Sequence, residues 1–195
     1  MAASDVLVSP AYIWYAPVGE ALPSADTIAA GIAWGGNWKN LGYTLEPVSV
    51  NLDTQTFKLY VQQLLAPLRI TRTQQELAFE SVLAEMTGQN LALAFDGSIT
   101  TTAAGPAVAG KDIVTVKGDK VDVSVYAVGI EGIRVTDLNV RVPVRFFLPR
   151  ASITLNGPLA FAKDAGAGIP VHIDGLVDNT GNQMIIHNVT LPKTA

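Results

Sequence analysis

Apolar and polar residues alternate through most of this chain, which is the period-two pattern of strands with one buried face. "AYIWYA" at 11–16 is aromatic and β-branched enough to form a strand, ended by Pro17. From Ala21 to Gly36 small residues and Pro23 predict a loop with at most one helical turn started near Ser24 or Asp26, and "LGYTLE" from Leu41 predicts a second strand. In "VSVNLDTQTFKLYVQQ", Val48, Val50 and Leu52 share one parity and Phe57, Leu59 and Val61 the other. A parity switch near Asp53 to Thr56 fits a hairpin tip or a bulge, because one inserted residue moves later side chains to the opposite face. Leu68 and Ile70 are likewise out of phase with Leu77 and Phe79, so Pro67 to Leu83 is one long bent strand or two strands with a polar crossing.

One helix is predicted, over 86–96, with Thr87 as N-cap, Leu91, Ala94 and Phe95 at helical spacing, and Gly97 as the stop. Ser98 to Gly110 reads as a surface loop. Ile113 to Lys117, a Gly118-Asp119 turn and alternating Val121, Val123 and Val125 read as a hairpin. In "VRVPVRFFLPRASITLNG", Arg141 and Arg145 face away from Val142, Val144 and Phe146, and Pro143 predicts an edge strand or bulge. "PVHIDGLVDNTGNQMIIHNVT" predicts a last hairpin turning at Asp178 to Asn182. Eight or more short strands with one short α-helix and a long hairpin loop over 46–66 define a mainly β chain, an antiparallel β-sandwich or barrel-like fold. The 195 residues fit one domain, with an N-terminal strand and arm over 10–40 and C-terminal strands over 113–190.

Composition sharpens this. Hydrophobic residues make up 49% and charged residues only 15%, below the roughly 25% of ordinary domains, so part of the surface is expected to be covered by other subunits. A net charge of −4 argues against sequence-independent DNA binding but allows a protein that DNA merely passes. With 0 cysteines, disulfides, thiolate metal sites and cysteine nucleophiles are excluded. No Lys or Arg precedes Lys39 and no apolar run reaches about 18 residues, so the expectation is a soluble chain made in a cytoplasm, with neither secretory signal nor membrane span.

Catalytic chemistry finds no foothold. His172 and His187, on strands expected to face each other, lack a third ligand and read as ordinary strand histidines. No G-x-S-x-G elbow is present, "GAGIP" at 166–170 lacks the lysine and strand-to-helix context of a phosphate loop, and "DNTGN" at 178–182 lacks the closing Glu of a calcium loop. "NVT" at Asn188 matters only in a protein secreted by a eukaryote. Arg69, Arg72, Arg134, Arg141, Arg145 and Arg150 lack interleaved aromatics, so solvated faces or inter-subunit ion pairs are expected rather than a nucleic-acid platform. No enzyme activity, cofactor or metal is expected.

The order of elements carries more information than any site. "YIWYAPVGEALPS", "W..LGY", "LRITRTQQELAFESVLAEMTGQNLALAFDG", "VRFFLPRASIT" and "IPVHIDGLVD" together resemble the major tail tube proteins of siphophages, from about Tyr12 to Asp178. The Ala- and Thr-rich stretch at 98–110 departs from that pattern. The resemblance implies a single tail-tube domain over 1–195 that self-assembles into stacked hexameric rings, a virion conduit for DNA ejection made in the bacterial host cytoplasm. It further implies contacts with a tape measure protein, a tail terminator and distal tail or baseplate proteins, DNA only in transit and no membrane. On this reading the candidate lumen carboxylates are Glu76, Glu80, Asp122 and Glu131. The candidate subunit contacts are Trp34, Trp38, Phe57, Leu59, Tyr60, Leu64 and Leu65, the hairpin residues being more apolar than a free loop should display unless they complete the core. Trp34 and Trp38 would anchor the arm, on their own domain or a neighbour. Two alternatives stay open: another ring-forming tail or connector component, and a carbohydrate-binding β-sandwich with Trp14, Trp34, Trp38 or Tyr43 as stacking platforms.

Overall fold

A computed structural model describes residues 11–23, 31–106, 108–135, 140–159 and 167–189. The expected helical turn near Ser24 or Asp26 lies outside them. The chain is mainly β: strands β1 (Tyr12–Pro17), β2 (Lys39–Asn40), β3 (Ser49–Leu59) and β4 (Arg69–Leu83) precede helix α1 (Gly88–Ala94). Strands β5 (Ser98–Thr102), β6 (Lys111–Thr115), β7 (Val125–Val135), β8 (Arg141–Leu155), β9 (Ile169–Leu176) and β10 (Ile185–Asn188) follow. All pairings are antiparallel, as expected of the sandwich-like class, in a sheet ordered β2-β1-β7-β8-β9-β4-β3, with β10 beside β8 and a separate β5-β6 pair.

The segment after Trp38 is not the strand that "LGYTLE" predicts. Its first half pairs with β1, where the Leu41 amide donates to the Ile13 carbonyl at 2.9 Å. Its second half bridges β4: Leu45 N–H donates to Val82 O and Ala84 N–H to Tyr43 O, both at 2.8 Å. The strand path β1, β7, β8, β9, β4 therefore closes back on β1 through residues 39–45. Gly42 makes the switch possible: it sits at φ +87°, and a Cβ there would meet the Glu85 carboxylate at 2.3 Å.

Inside the closed path lies the main core, built from Ile13, Leu41, Phe79, Val128, Ile153 and Ile173 with their neighbours. Helix α1 supplies Leu93 and Ala94 to it. Thr87 caps the helix as expected, accepting from the Asn90 amide at 3.1 Å, and the Asn90 side chain donates to the carbonyls of Leu41 and Glu85, both at 2.9 Å. At the other end the left-handed residue is Asp96 (φ 51°), not Gly97. Aspartate tolerates that region because its short side chain bonds locally. Here it meets Lys120 Nζ at 2.7 Å and the Ser124 amide at 3.2 Å. Burial raises the Asp96 pKa, but these donors outweigh it and hold the carboxyl below its ordinary value.

Several sequence expectations are corrected. The segment 98–110 is not all loop, because Ser98–Thr102 pairs with Lys111–Thr115, and so the Ile113–Val125 hairpin does not form. Val121 is 93% exposed; its connection is pinned to Asp96 instead of forming a ladder. Pro143 lies on a central strand opposite Ile133, and the bulge falls instead where Pro149 and Arg150 face the single residue Ala127. Asp178–Asn182 is a tight turn, with Asp178 N–H donating to Asn182 O at 2.9 Å, yet it does not fold β10 back on β9. Both strands pair with β8, at Arg150–Leu155 and Val144–Phe147, one after the other along the same strand.

The Gly42 switch is testable. A residue with a Cβ pays the left-handed penalty of about 1–2 kcal/mol and clashes with Glu85. Gly42→Ala is expected to lower unfolding free energy by roughly 2 kcal/mol in urea titrations, and Glu85→Ala in the same chain to recover only the steric part.

Candidate assembly surfaces

Three surfaces fall outside the main core, and each collects residues singled out from the sequence. The first is the face of β1, β7 and β8 turned away from that core. Here Trp14, Ala16, Trp34, Trp38, Ala127 and Phe147 form a second buried cluster. Trp14 and Trp34 stack with centroids 5.3 Å apart and planes at 12°, while Trp38 meets Trp34 edge-on at 5.0 Å. Gly129 on β7 leaves the recess, since a Cβ there would lie 2.1 Å from the Trp34 ring. The arm thus docks on its own chain. The tryptophans, 5–6% exposed, cannot serve as sugar-stacking platforms, and Trp34 and Trp38 offer little to another subunit; Tyr43 alone of the four is open, at 73%.

Beneath the arm lies an ion pair between two residues that the sequence assigns separately, Glu131 to a lumen and Arg145 to a solvated face or an inter-subunit pair. Glu131 and Arg145 are cross-strand partners on β7 and β8, 0% and 2% exposed, with Arg145 Nε donating to Glu131 Oε1 at 3.2 Å. The other carboxylate oxygen accepts from Trp34 Nε1 at 3.4 Å and from the Gly31 amide at 3.3 Å. Glu131 is therefore no lumen carboxylate and Arg145 no solvated arginine. Desolvated charges are tolerable only when paired and hydrogen-bonded, and the arm supplies the remaining donors. At its rim, Glu20 accepts from Asn37 Nδ2 at 2.7 Å and Trp38 Nε1 donates to Ala21 O at 2.8 Å.

The second surface is the outer face of β3, β4 and β9. Asp53 stands directly opposite Glu76, and Glu80 opposite His172. His172 Nδ1 lies 3.0 Å from Glu80 Oε1 and its Nε2 2.9 Å from Asp174 Oδ1, so the ring bridges two carboxylates. His187 is elsewhere, edge-on to Phe147 at 4.8 Å, so the two histidines do not face each other. The candidates Glu76 and Glu80 share this face with Asp53 and Asp174, which sequence reasoning missed; strand register was the information lacking. Asp122 sits in the exposed connection between β6 and β7, off these strands.

The third surface is the β3–β4 hairpin. Only Ala78–Leu83 of β4 pairs with β9; Leu77 still packs in the main core and Gln75 Nε2 donates to Gln183 Oε1 at 2.9 Å, so residues 69–74 form with β3 a two-stranded ribbon roughly 20 Å long at about 3.3 Å per residue. Gln55 pairs with Gln74 and Thr56 with Arg72, leaving Thr73 as the inserted residue of a bulge. The phase change thus belongs to β4, where Ile70 returns to the face of Leu77. Strand β3 runs through unshifted, so Phe57 and Leu59 share the outer face with Asp53. Phe57, Leu59, Tyr60, Leu64 and Leu65 are all exposed, Leu65 completely, so they do not complete the chain's own core.

Among the described residues, no cluster of His, Asp and Glu is placed to hold a metal ion, and no helix is long and apolar enough to cross a membrane. The Glu131–Arg145 pair makes a specific prediction. Removing one partner strands a buried charge, so Glu131→Ala is expected to cost about 3–5 kcal/mol in chemical unfolding. Glu131→Leu with Arg145→Met is expected to cost less than either single change.

No curated protein matches this chain. A family profile described as "Phage tail tube protein" matches residues 2–188, nearly the whole sequence. An arm-sealed β body, a carboxylate-bearing sheet face and a projecting apolar ribbon suit a subunit built to meet copies of itself, and the chain belongs to the phage tail tube protein family, a structural component of the virion tail.

Proposed function

We propose that this chain forms one tail-tube domain whose copies close into hexameric rings and stack into the tube of a siphophage tail, the conduit for DNA ejection. The observation that carries this reading is the β3–β4 ribbon. A two-stranded ribbon beyond the body is marginal alone, and its large apolar side chains lie open to water. Burying them against neighbouring subunits removes both liabilities, and a closed ring leaves no subunit edge unused.

The outer face of β9 and of the end of β4 paired with it is the best candidate for the lumen. Glu80 and Asp174 give it negative charge, in keeping with a net charge of −4. A wall of that sign repels phosphates and lets DNA slide, whereas phosphate contacts would hold it. The role is mechanical, without a catalytic step. A tape measure protein in the lumen, a terminator at one end and distal tail or baseplate proteins at the other complete the proposed set of partners. A single-ring tail or connector component is the competing reading, and it predicts isolated rings.

Negative-stain microscopy of purified protein separates them: long hollow tubes of uniform width are expected, and single rings or persistent monomers would sink the proposal. Phe57→Ser with Leu64→Ser is expected to abolish stacking while changing unfolding free energy by less than about 1 kcal/mol, since both positions are exposed.

A further inference from the structure

The ribbon is charge-segregated. Residues 54–75 contain Lys58, Arg69 and Arg72 and no Asp or Glu, whereas the base of the same hairpin and the strand beside it carry Asp53, Glu76, Glu80 and Asp174. Register fixes where these charges point. Arg69 shares the outer face with Phe57 and Leu59, and Lys58 and Arg72 share the opposite face with Ile70, so the distal ribbon is basic on both sides. Arg72 donates to Gln75, and among the described residues no ion pair engages Lys58, Arg69 or Arg72. Asp53 and Glu76, two carboxylates opposite each other across the ladder, have no cation between them either. Like charges placed so are mildly destabilising within one chain, and a cation from outside would relieve them.

Resting on the tube reading, we propose that the outer face of each distal ribbon docks on the acidic base face of a neighbouring copy of this chain, Arg69 meeting Asp53 and Glu76. The exposed apolar residues provide most of the area buried. The charges set the register: correct docking places opposite signs together, and a ribbon slipped tip-on-tip or base-on-base places like signs together. An occupant of other chemistry fits less well. An anionic polymer would meet the tip but be repelled by the base, while a second copy satisfies both ends.

Charge reversal tests this. On the docking face, Arg69→Glu gives copies acidic at both ends; Asp53→Lys with Glu76→Lys gives copies basic at both ends. All three positions are exposed, and circular dichroism and urea midpoints identical to the wild type would confirm intact folds. Followed by sedimentation velocity and negative-stain microscopy, each variant alone is expected to lose assembly at least tenfold in rate. An equimolar mixture is expected to regain it, because each tip then finds a base of opposite sign. Wild-type tubes with either variant also assembling alone, or with an inert mixture, would overturn the charge pairing and leave the tube reading standing. A wild-type chain that never self-associates would overturn both.

Discussion

The double use of residues 39–45 is the constraint on which the rest of the structure depends. A sheet ordered from β2 to β3 would otherwise end in two open edges, each with unpaired amides and carbonyls. By bonding first to β1 and then to β4, this short segment joins the two sides and encloses the main core. The helix is tied to the same place through Asn90, which donates to Leu41 O and Glu85 O. What the closed path cannot take in is the distal part of β3 and β4, and that part projects.

The opposite face of β1, β7 and β8 is sealed by a different device. Strand β7 is buried almost along its whole length, because the core lies on one side and the tryptophan arm on the other. That two-sided burial accounts for part of the low charge content that sequence alone attributes to subunit contacts. The Glu131–Arg145 pair gives the arm a fixed seat, since Trp34 and the Gly31 amide reach carboxylate oxygens only in one placement. Apolar stacking supplies attraction without direction; the buried charges supply direction.

Local chemistry was legible in the sequence and long-range pairing was not. The Thr87 cap, the strand cores and the phase change in β4 could be read because each depends on a few neighbouring residues. The carboxylate face could not, because Asp53 and Glu76 become neighbours only through a register spanning the hairpin tip. Glu131 misled for a related reason: a carboxylate on a strand reads as solvent-facing until its partner fourteen residues on, Arg145, is known to lie across from it. The supposed hairpins at 113–125 and 169–188 failed because alternation reveals a strand but not its neighbour. In both cases the partner lies elsewhere in the chain: β5 for Lys111–Thr115, and β8 for both β9 and β10.

The ladder between β3 and β4 holds the ribbon in shape before anything touches it. Whatever docks there meets an arm whose backbone entropy was already lost in folding, so little ordering remains to slow each addition. Growth on an existing end would then be fast, and the slow event would be the first closed set of copies, before any end exists. In the proposed assembly, a preordered ribbon would move kinetic control from elongation to nucleation.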